Sequence, residues 1–380
     1  MKKRSRLAVV IAIIMATTSL LYGCNGNEYY TKTQTVFSSS IVASVKILSP
    51  DAKQIANEMI SAVECVGEQI NANSASSQLY SFNQSTSTEW LEIGEHFYNL
   101  CLSSKQIYDK TNGAFNPAVS PASKLWCVDA EGINRYGYGQ GQPDALPSQN
   151  EIDELKASVN LNALETKTEQ GKYYIRKTVP TLRLDFGGVA KGYCADLCAE
   201  IAQASGVKSA LIDISGNLVL VGKYYDDGNE KDWGVGVINP RREENSSRYV
   251  CGFTTSGDIS VVTAGDYERY YEYQLSGEKM RVSHIINGNT LIPTSLKIDG
   301  NEYIEDTIAV CSATVMGSSS MLCDAYATAV VVMGAENGKQ FLQSEGLCGL
   351  IFTADKKMAV VGEFDFVSSQ TLYQTEYECI

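Results

Sequence analysis

The run Asp185-Phe186-Gly187-Gly188-Val189-Ala190-Lys191-Gly192 places a carboxylate, two adjacent glycines and a lysine within eight residues. Leu182-Arg183-Leu184 before it reads as a strand, and the residues from Ala190 onward read as a helix. The glycines therefore turn a strand directly into a helix. Glycine lets the backbone approach a ligand closely, and a helix start presents free N–H groups to an anion. With Lys191 as a cation, the chemistry of such a cradle is phosphate binding. The run is not a G-x-x-x-x-G-K-[ST] loop and lacks the G-x-G-x-x-G dinucleotide pattern. Residues 216–223 come near the former, but the spacing is wrong and Tyr224 stands where a hydroxyl residue is needed. A tight turn with a helix cap is the commoner origin of such a run and stays open beside the cradle.

Three further groups could carry chemistry. Asp324 and Thr328 are four apart in an otherwise apolar segment, so they share a helix face. A buried acid and hydroxyl need partners, and a hard divalent cation such as Mg²⁺ takes oxygen ligands. Asp324 as a capping residue near the helix start is the competing account. His284 lies at a strand end, where an imidazole could serve as a general base, although most such histidines are structural. His96 sits in a surface helical pattern and is read as structural. Thr111-Asn112-Gly113-Ala114-Phe115-Asn116-Pro117, with Leu125-Trp126 beyond it, could present backbone groups and aromatics to a flat heterocycle, or simply end a helix. The charges in Gly265-Asp266-Tyr267-Glu268-Arg269-Tyr270 read as a solvated run.

The elements that must position these groups follow from periodicity. Helices are expected from Pro50 to Ile70, Trp90 to Lys110, Glu151 to Ala157, Ala190 to Ala204, Met321 to Met333 and Gly338 to Ser344. Strands are expected over 37–47, 182–185, 209–214, 218–221, 233–238, 249–254, 259–263, 307–312 and 349–352. A hairpin is expected over 269–285, with its turn at Ser276-Gly277. Residues 71–89 and 128–148 read as loops. Sequential hairpin-linked strands mixed with helices indicate an α+β fold. Mixed, largely antiparallel sheets pack against helices in one catalytic domain over residues 36–370.

The 380 residues carry 31 Lys and Arg against 44 Asp and Glu, a net charge of −13, with 11 cysteines and two histidines. This acidity speaks against nucleic acid, and two histidines speak against a multi-imidazole zinc site. Residues 1–23 read as a signal peptide: Lys2, Lys3, Arg4 and Arg6 precede the apolar Leu7–Met15. Leu21-Tyr22-Gly23-Cys24 is similar to a bacterial lipobox, with Cys24 as the lipidated residue and 24–35 as a tether. An ordinary secretory signal is the competing reading. Cleavage there removes four basic residues and no acids, taking the net charge to −17. The ten other cysteines are read chiefly as free thiols, because a chain this long builds a core without staples.

Taken in order, the segments GAFNPxV…LW, DFGGVAKGY, ALIDISGN, GDYERYYE, SHIIN and DAYATAVVVMG resemble the ApbE-type FAD:protein FMN transferases over residues 35–365. The resemblance implies FAD as substrate, Mg²⁺ as cofactor, and transfer of FMN to a Thr or Ser hydroxyl of a target protein with release of AMP. It implies His284 as the base, and Asp324, Thr328 and the Gly188 carbonyl as metal ligands. Ala114, Phe115, Asn116, Asp185, Lys191 and the backbone at Ile286 match flavin- or nucleotide-contacting positions. Asn116 stands where the family often has Asp. Asn287-Gly288-Asn289-Thr290-Leu291 departs from the commoner Asp-Pro-x-Thr-Gly. The acceptor core of these enzymes, Gly-Ala-Thr or Gly-Ala-Ser, is absent, so the acceptor is expected to be another exported protein. The enzyme itself is expected to be anchored by lipid on the outer side of a bacterial cell membrane. An FAD pyrophosphatase giving FMN and AMP, or a non-catalytic FAD-binding lipoprotein, are the alternatives.

Overall fold

Ile55, Met59, Ile60, Val63 and Val66 recur at helical spacing, and in the computed structural model they form the buried stripe of α1 (Ala52–Ile70). The structure describes residues 28–37, 41–242, 246–275, 277–300, 302–367 and 377–380. The remaining helices are α2 (Gln78–Gln84), α3 (Glu95–Lys110), α4 (Ser120–Leu125), α5 (Ala130–Tyr136), α6 (Gln149–Leu155), α7 (Ala190–Ala204), α8 (Ser320–Met333) and α9 (Ala335–Ser344). α7 begins and ends at the residues expected from the sequence.

The centre of the molecule is a nine-stranded sheet. Its strands run in the order Tyr30–Val36, Ile41–Leu48, Ser209–Ile214, Asn217–Gly222, Ile259–Gly265, Val310–Gly317, Cys348–Thr353, Lys357–Val361 and Glu378–Cys379. Neighbours are antiparallel except for the last pair, which is parallel. Successive residues of a strand point to opposite faces. Val262, Ala313, Val315 and Ile351 accordingly join the core under α8. Val261, Met316, Leu350 and Phe352 join the opposite core, with Val235, Val237 and Phe253 of a smaller three-stranded sheet. α1 and α7 cover the earlier strands. A third core, built on Trp126, Ile152, Tyr271, Val282 and Ile286, ties α4 and α6 to the hairpin Tyr270–Leu275/Glu278–Ser283. The architecture is α+β with mixed, mostly antiparallel sheets.

Several expectations are corrected. Residues 30–36 are the edge strand of the large sheet, paired with Ile41–Leu48, so the expected tether ends earlier. Cys24 and the signal segment lie outside the described residues. The expected loop 71–89 contains α2, and 128–148 contains α5; both are single short helices with no long apolar period to betray them. The helix expected from Trp90 begins at Glu95, after a short strand Leu91–Ile93. The domain continues beyond residue 370, since Glu378–Cys379 pairs with Lys357–Met358. The hairpin Leu164–Glu169/Lys172–Lys177 was not expected. The ten described cysteines are unpaired thiols, as the sequence chiefly indicates; Cys65 and Cys379 are exposed.

Residues 182–185 are extended but join no sheet. The Asn83 side chain takes the place of a strand neighbour: its amide donates to the Leu184 carbonyl and accepts from the Leu184 N–H, both at 2.8 Å. The buried Lys177 ammonium donates to the carbonyls of Phe82 (2.7 Å), Ser85 (3.0 Å) and Leu182 (2.9 Å). These contacts hold the end of α2 and the segment before Asp185 together.

Candidate active site

The glycine turn after Asp185 delivers the backbone to the start of α7. The Asp185 carboxylate accepts from the Gly187 N–H at 2.7 Å and is exposed, while its own N–H donates to the Pro117 carbonyl at 2.7 Å. That last bond sets the turn against the 113–117 loop. Phe115 is buried, and its ring would lie 3.4 Å from a Cβ added at Gly188. The same Cβ would stand 3.1 Å from Thr328 Oγ1. Gly188 therefore brings its backbone against both the Phe115 ring and α8, an approach that a side chain would obstruct.

Asp324 is 2% exposed and sits on the second turn of α8. Its carboxylate accepts from the Gly192 N–H at 3.0 Å and lies 3.2 Å from the Lys191 ammonium. Gly192 is in the first turn of α7, where N–H groups have no partner inside the helix. Asp324 thus satisfies the N-terminus of α7 from a different helix, 132 residues later. Lys191 also donates to the Gly187 carbonyl at 3.1 Å. Thr328 Oγ1 donates to the Asp324 carbonyl at 3.2 Å, which leaves its lone pairs open.

These oxygens fit a hard cation. The Thr328 hydroxyl lies against the backbone at Gly188, and one turn earlier on α8 the Asp324 carboxylate meets the Lys191 ammonium. Among the described residues no group of three or more His, Cys, Asp or Glu gathers to hold a metal. An ion held here by one carboxylate would complete its shell with water and phosphate oxygens, the habit of Mg²⁺ at phosphate sites.

His284 follows the hairpin. Its N–H and its Nδ1 both bond the carbonyl of Arg269, at 3.1 and 2.9 Å. Nδ1 must carry the proton to donate there, so Nε2 keeps its lone pair. Burial, the Arg269 guanidinium and the Lys191 ammonium all disfavour a second proton, and together they push the imidazole down to about 3. The ring is therefore neutral at physiological pH. His96, by contrast, packs on Tyr193 and bonds its hydroxyl at 2.9 Å.

The 113–117 loop is nearly buried. Ala114 donates its N–H to Thr111, and the Phe115 N–H goes to the Thr111 hydroxyl. Both ends of the Asn116 amide are taken by backbone: it accepts from Ala118 at 2.9 Å and donates to Val159 at 2.8 Å. Asn116 therefore shapes the loop from within. The 287–290 turn closes on it, since a Cβ at Gly288 would meet the Asn116 side chain at 2.9 Å. Ile286 is buried in the third core and bridges to Pro293.

The charge run 265–270 is not solvated as expected. Asp266 is fully buried and receives both guanidinium nitrogens of Arg241 at 2.7 Å, with Arg281 at 3.7 Å. Arg281 also covers the Tyr270 ring at 3.9 Å. This pair anchors the segment whose Arg269 carbonyl orients His284. Sequence reasoning also passed over Asp196, which lies beside the site on α7. Its signal was faint: an acid one helical turn after Gly192, on the same face.

The profile of the ApbE family matches residues 34–351. The chain is 30% identical to the FAD:protein FMN transferase of Escherichia coli over 280 residues, 73% of this chain and 71% of that protein. It is 28% identical to the FAD:protein FMN transferase of Treponema pallidum over 300 residues, 76% and 74% of the two chains. Among solved structures, the apo flavinyl transferase ApbE of Pseudomonas stutzeri superposes with a TM-score of 0.68 at 22% identity, covering 89% of this chain and 95% of that one. The ApbE protein of Thermotoga maritima gives 0.68 at 22% identity, covering 92% and 100%. At these identities the structural likeness is one of fold.

Proposed function

The chain belongs to the ApbE family, and we propose that it transfers the FMN part of FAD to a Thr or Ser hydroxyl of a second protein, with AMP leaving. In this reaction the acceptor oxygen forms a bond to the FMN-side phosphorus. The bond from that phosphorus to the bridging oxygen breaks, and AMP departs with that oxygen. The acceptor proton passes to Nε2 of His284.

The observation that carries this reading is the meeting of three groups from distant parts of the chain. A neutral imidazole with a free Nε2 lies close enough to Lys191 to feel its charge, and Lys191 touches the buried Asp324. A base beside a phosphate-binding cation and a metal carboxylate is the equipment of phosphoryl transfer. Asp324, Thr328 and the Gly188 carbonyl would hold Mg²⁺, which supplies charge neutralisation of the diphosphate. Lys191 and the N-terminus of α7 add positive potential where the substrate is anionic. Asp185, Ala114, Phe115 and the backbone at Ile286 line the approach for the flavin nucleotide. Asn116 serves by shaping the loop.

The location outside the cytoplasm, on a lipid carried by Cys24, belongs to the same proposal. Only five residues, 25–29, separate Cys24 from the edge strand that starts at Tyr30. Extended chain spans at most about 20 Å over that distance, so the domain would work close to the bilayer.

The test incubates the protein with FAD, Mg²⁺ and an acceptor bearing a Gly-Ala-Thr or Gly-Ala-Ser core. Flavin fluorescence should travel with the acceptor in a denaturing gel, and EDTA should abolish it. FMN and AMP beside an unlabelled acceptor would instead indicate a pyrophosphatase. Unchanged FAD would indicate a carrier.

A further inference from the structure

The two helices of the site cap one another. Asp324, on α8, takes the Gly192 N–H at the start of α7. Asp196, on α7, returns the arrangement at the start of α8. Its carboxylate accepts from the Ser320 N–H at 2.6 Å, the Met321 N–H at 3.0 Å and the Ser319 hydroxyl at 2.8 Å. Ser319 Oγ in turn accepts from the Leu322 N–H at 3.3 Å. The first donors of α8 are satisfied by this carboxylate and its relay, and the negative charge sits on the positive end of the helix.

The geometry makes this more than an ordinary cap. Asp196 is four residues after Gly192 and Asp324 is four after Ser320, so each helix offers two grips on one face. Between the grips the backbones nearly touch: a Cβ on Gly192 would lie 2.3 Å from the Ser320 carbonyl oxygen. With α8 held at its first turn, the carboxylate one turn later has a single position over α7 and Lys191. Burial raises the Asp196 carboxyl above the usual range, while its hydrogen bonds from Met321, Ser320 and Ser319 oppose that shift.

We infer that Asp196 is a positioning residue that fixes the Asp324 carboxylate for metal and phosphate by locking α8 onto α7. The inference rests on the transferase reading for its purpose, but the lock itself can be tested apart from it. The variants are Asp196→Ala and, should that chain fold poorly, Asp196→Asn, which keeps one acceptor oxygen. The first readout is amide exchange at Gly192, whose N–H is held by Asp324. It should accelerate at least about tenfold in Asp196→Ala. Loss of a simple cap would free Ser320 and Met321 but leave Gly192 protected, and that pattern would overturn the inference. The second readout is Mn²⁺ affinity by EPR, expected to weaken about 10- to 100-fold in Asp196→Ala and less in Asp196→Asn, the range for residues that orient a metal ligand. The KM for FAD should change less than the half-saturating Mg²⁺ concentration. Unchanged Mn²⁺ affinity with a lowered melting temperature would make Asp196 a stability residue only. A wild-type protein that binds no metal would count against the transferase reading, while exchange at Gly192 would still decide the lock.

Discussion

His284 should remain neutral far below the pH at which a free histidine is protonated. The ordinary imidazole value is 6.5, and here burial, Arg269 and Lys191 bring it to about 3. A depressed histidine weakens the fold in acid, because between these two values the unfolded chain binds a proton that the folded chain refuses. At pH 5 the unfolded value lies about 1.5 units above the pH, which corresponds to ~2 kcal/mol at 1.36 kcal/mol per unit. Partial exposure of the ring screens part of this, so about 1 kcal/mol is expected. Replacing His284 with Asn keeps an N–H for the Arg269 carbonyl and removes the titration. The variant should therefore gain about 1 kcal/mol on the wild type between pH 7 and pH 5, measured by urea unfolding at both pH values. The direct assay is ring NMR on tag-free protein, which is simple because the chain has only two histidines. The His284 resonances should stay in the neutral Nδ1–H form down to pH 5. Bound FAD adds negative charge nearby and should raise the midpoint. A His284 midpoint at or above 6.5 in the free protein would refute the reasoning, since it would mean that Arg269 and Lys191 do not face the ring.

Gly192→Ala gains helix propensity but puts a methyl group into the Ser320 backbone, which cannot swing aside. Overpacking of this kind costs about 1–3 kcal/mol against about 1 kcal/mol gained, so the melting temperature and the divalent-metal affinity should both fall. A variant melting at or above the wild type would show that α7 and α8 are not in backbone contact. Asp266→Ala leaves the Arg241 guanidinium half-buried without its bidentate partner. Breaking such a pair from one side costs about 3–5 kcal/mol. Chemical unfolding should register the loss, and a change below 1 kcal/mol would return the segment to the status of a surface charge run. His284→Asn should slow transfer strongly while FAD binding, followed by flavin fluorescence, persists; lost binding would contradict a base role.

Residues that act through their own type and local spacing were legible in the sequence. The Asp185–Gly192 run names itself by its glycines, and Asp324 and Thr328 by a polar face in an apolar helix. His284 stood out through the family resemblance, since a lone histidine at a strand end is more often structural. α7 and the strand Ser209–Ile214 came out with their observed ends, because long periodic segments carry their own signal. The extended stretch 182–185 looked like a strand for the same local reason. Its partners, however, are the Asn83 amide and the Lys177 ammonium, and nothing in a β pattern announces a side-chain substitute for a neighbouring strand. α2 and α5 were missed because a helix of two turns owes its stability to what it packs against.

The amino-acid sequence alone pointed to the family and named the candidate residues of the site. Motif order and residue type survive without coordinates. Tertiary structure decided the states and positions of those residues. Asp266 became a buried ion pair, Asn116 turned its amide inward, and the His284 imidazole was pushed down by burial and by the charges of Arg269 and Lys191. The reciprocal grip of Asp196 and Asp324 joins residues more than a hundred positions apart. Spacing along a chain encodes which groups share a helix face. Burial, pKa and the meeting of two helix ends depend on distances through space, and those exist only once the chain has packed.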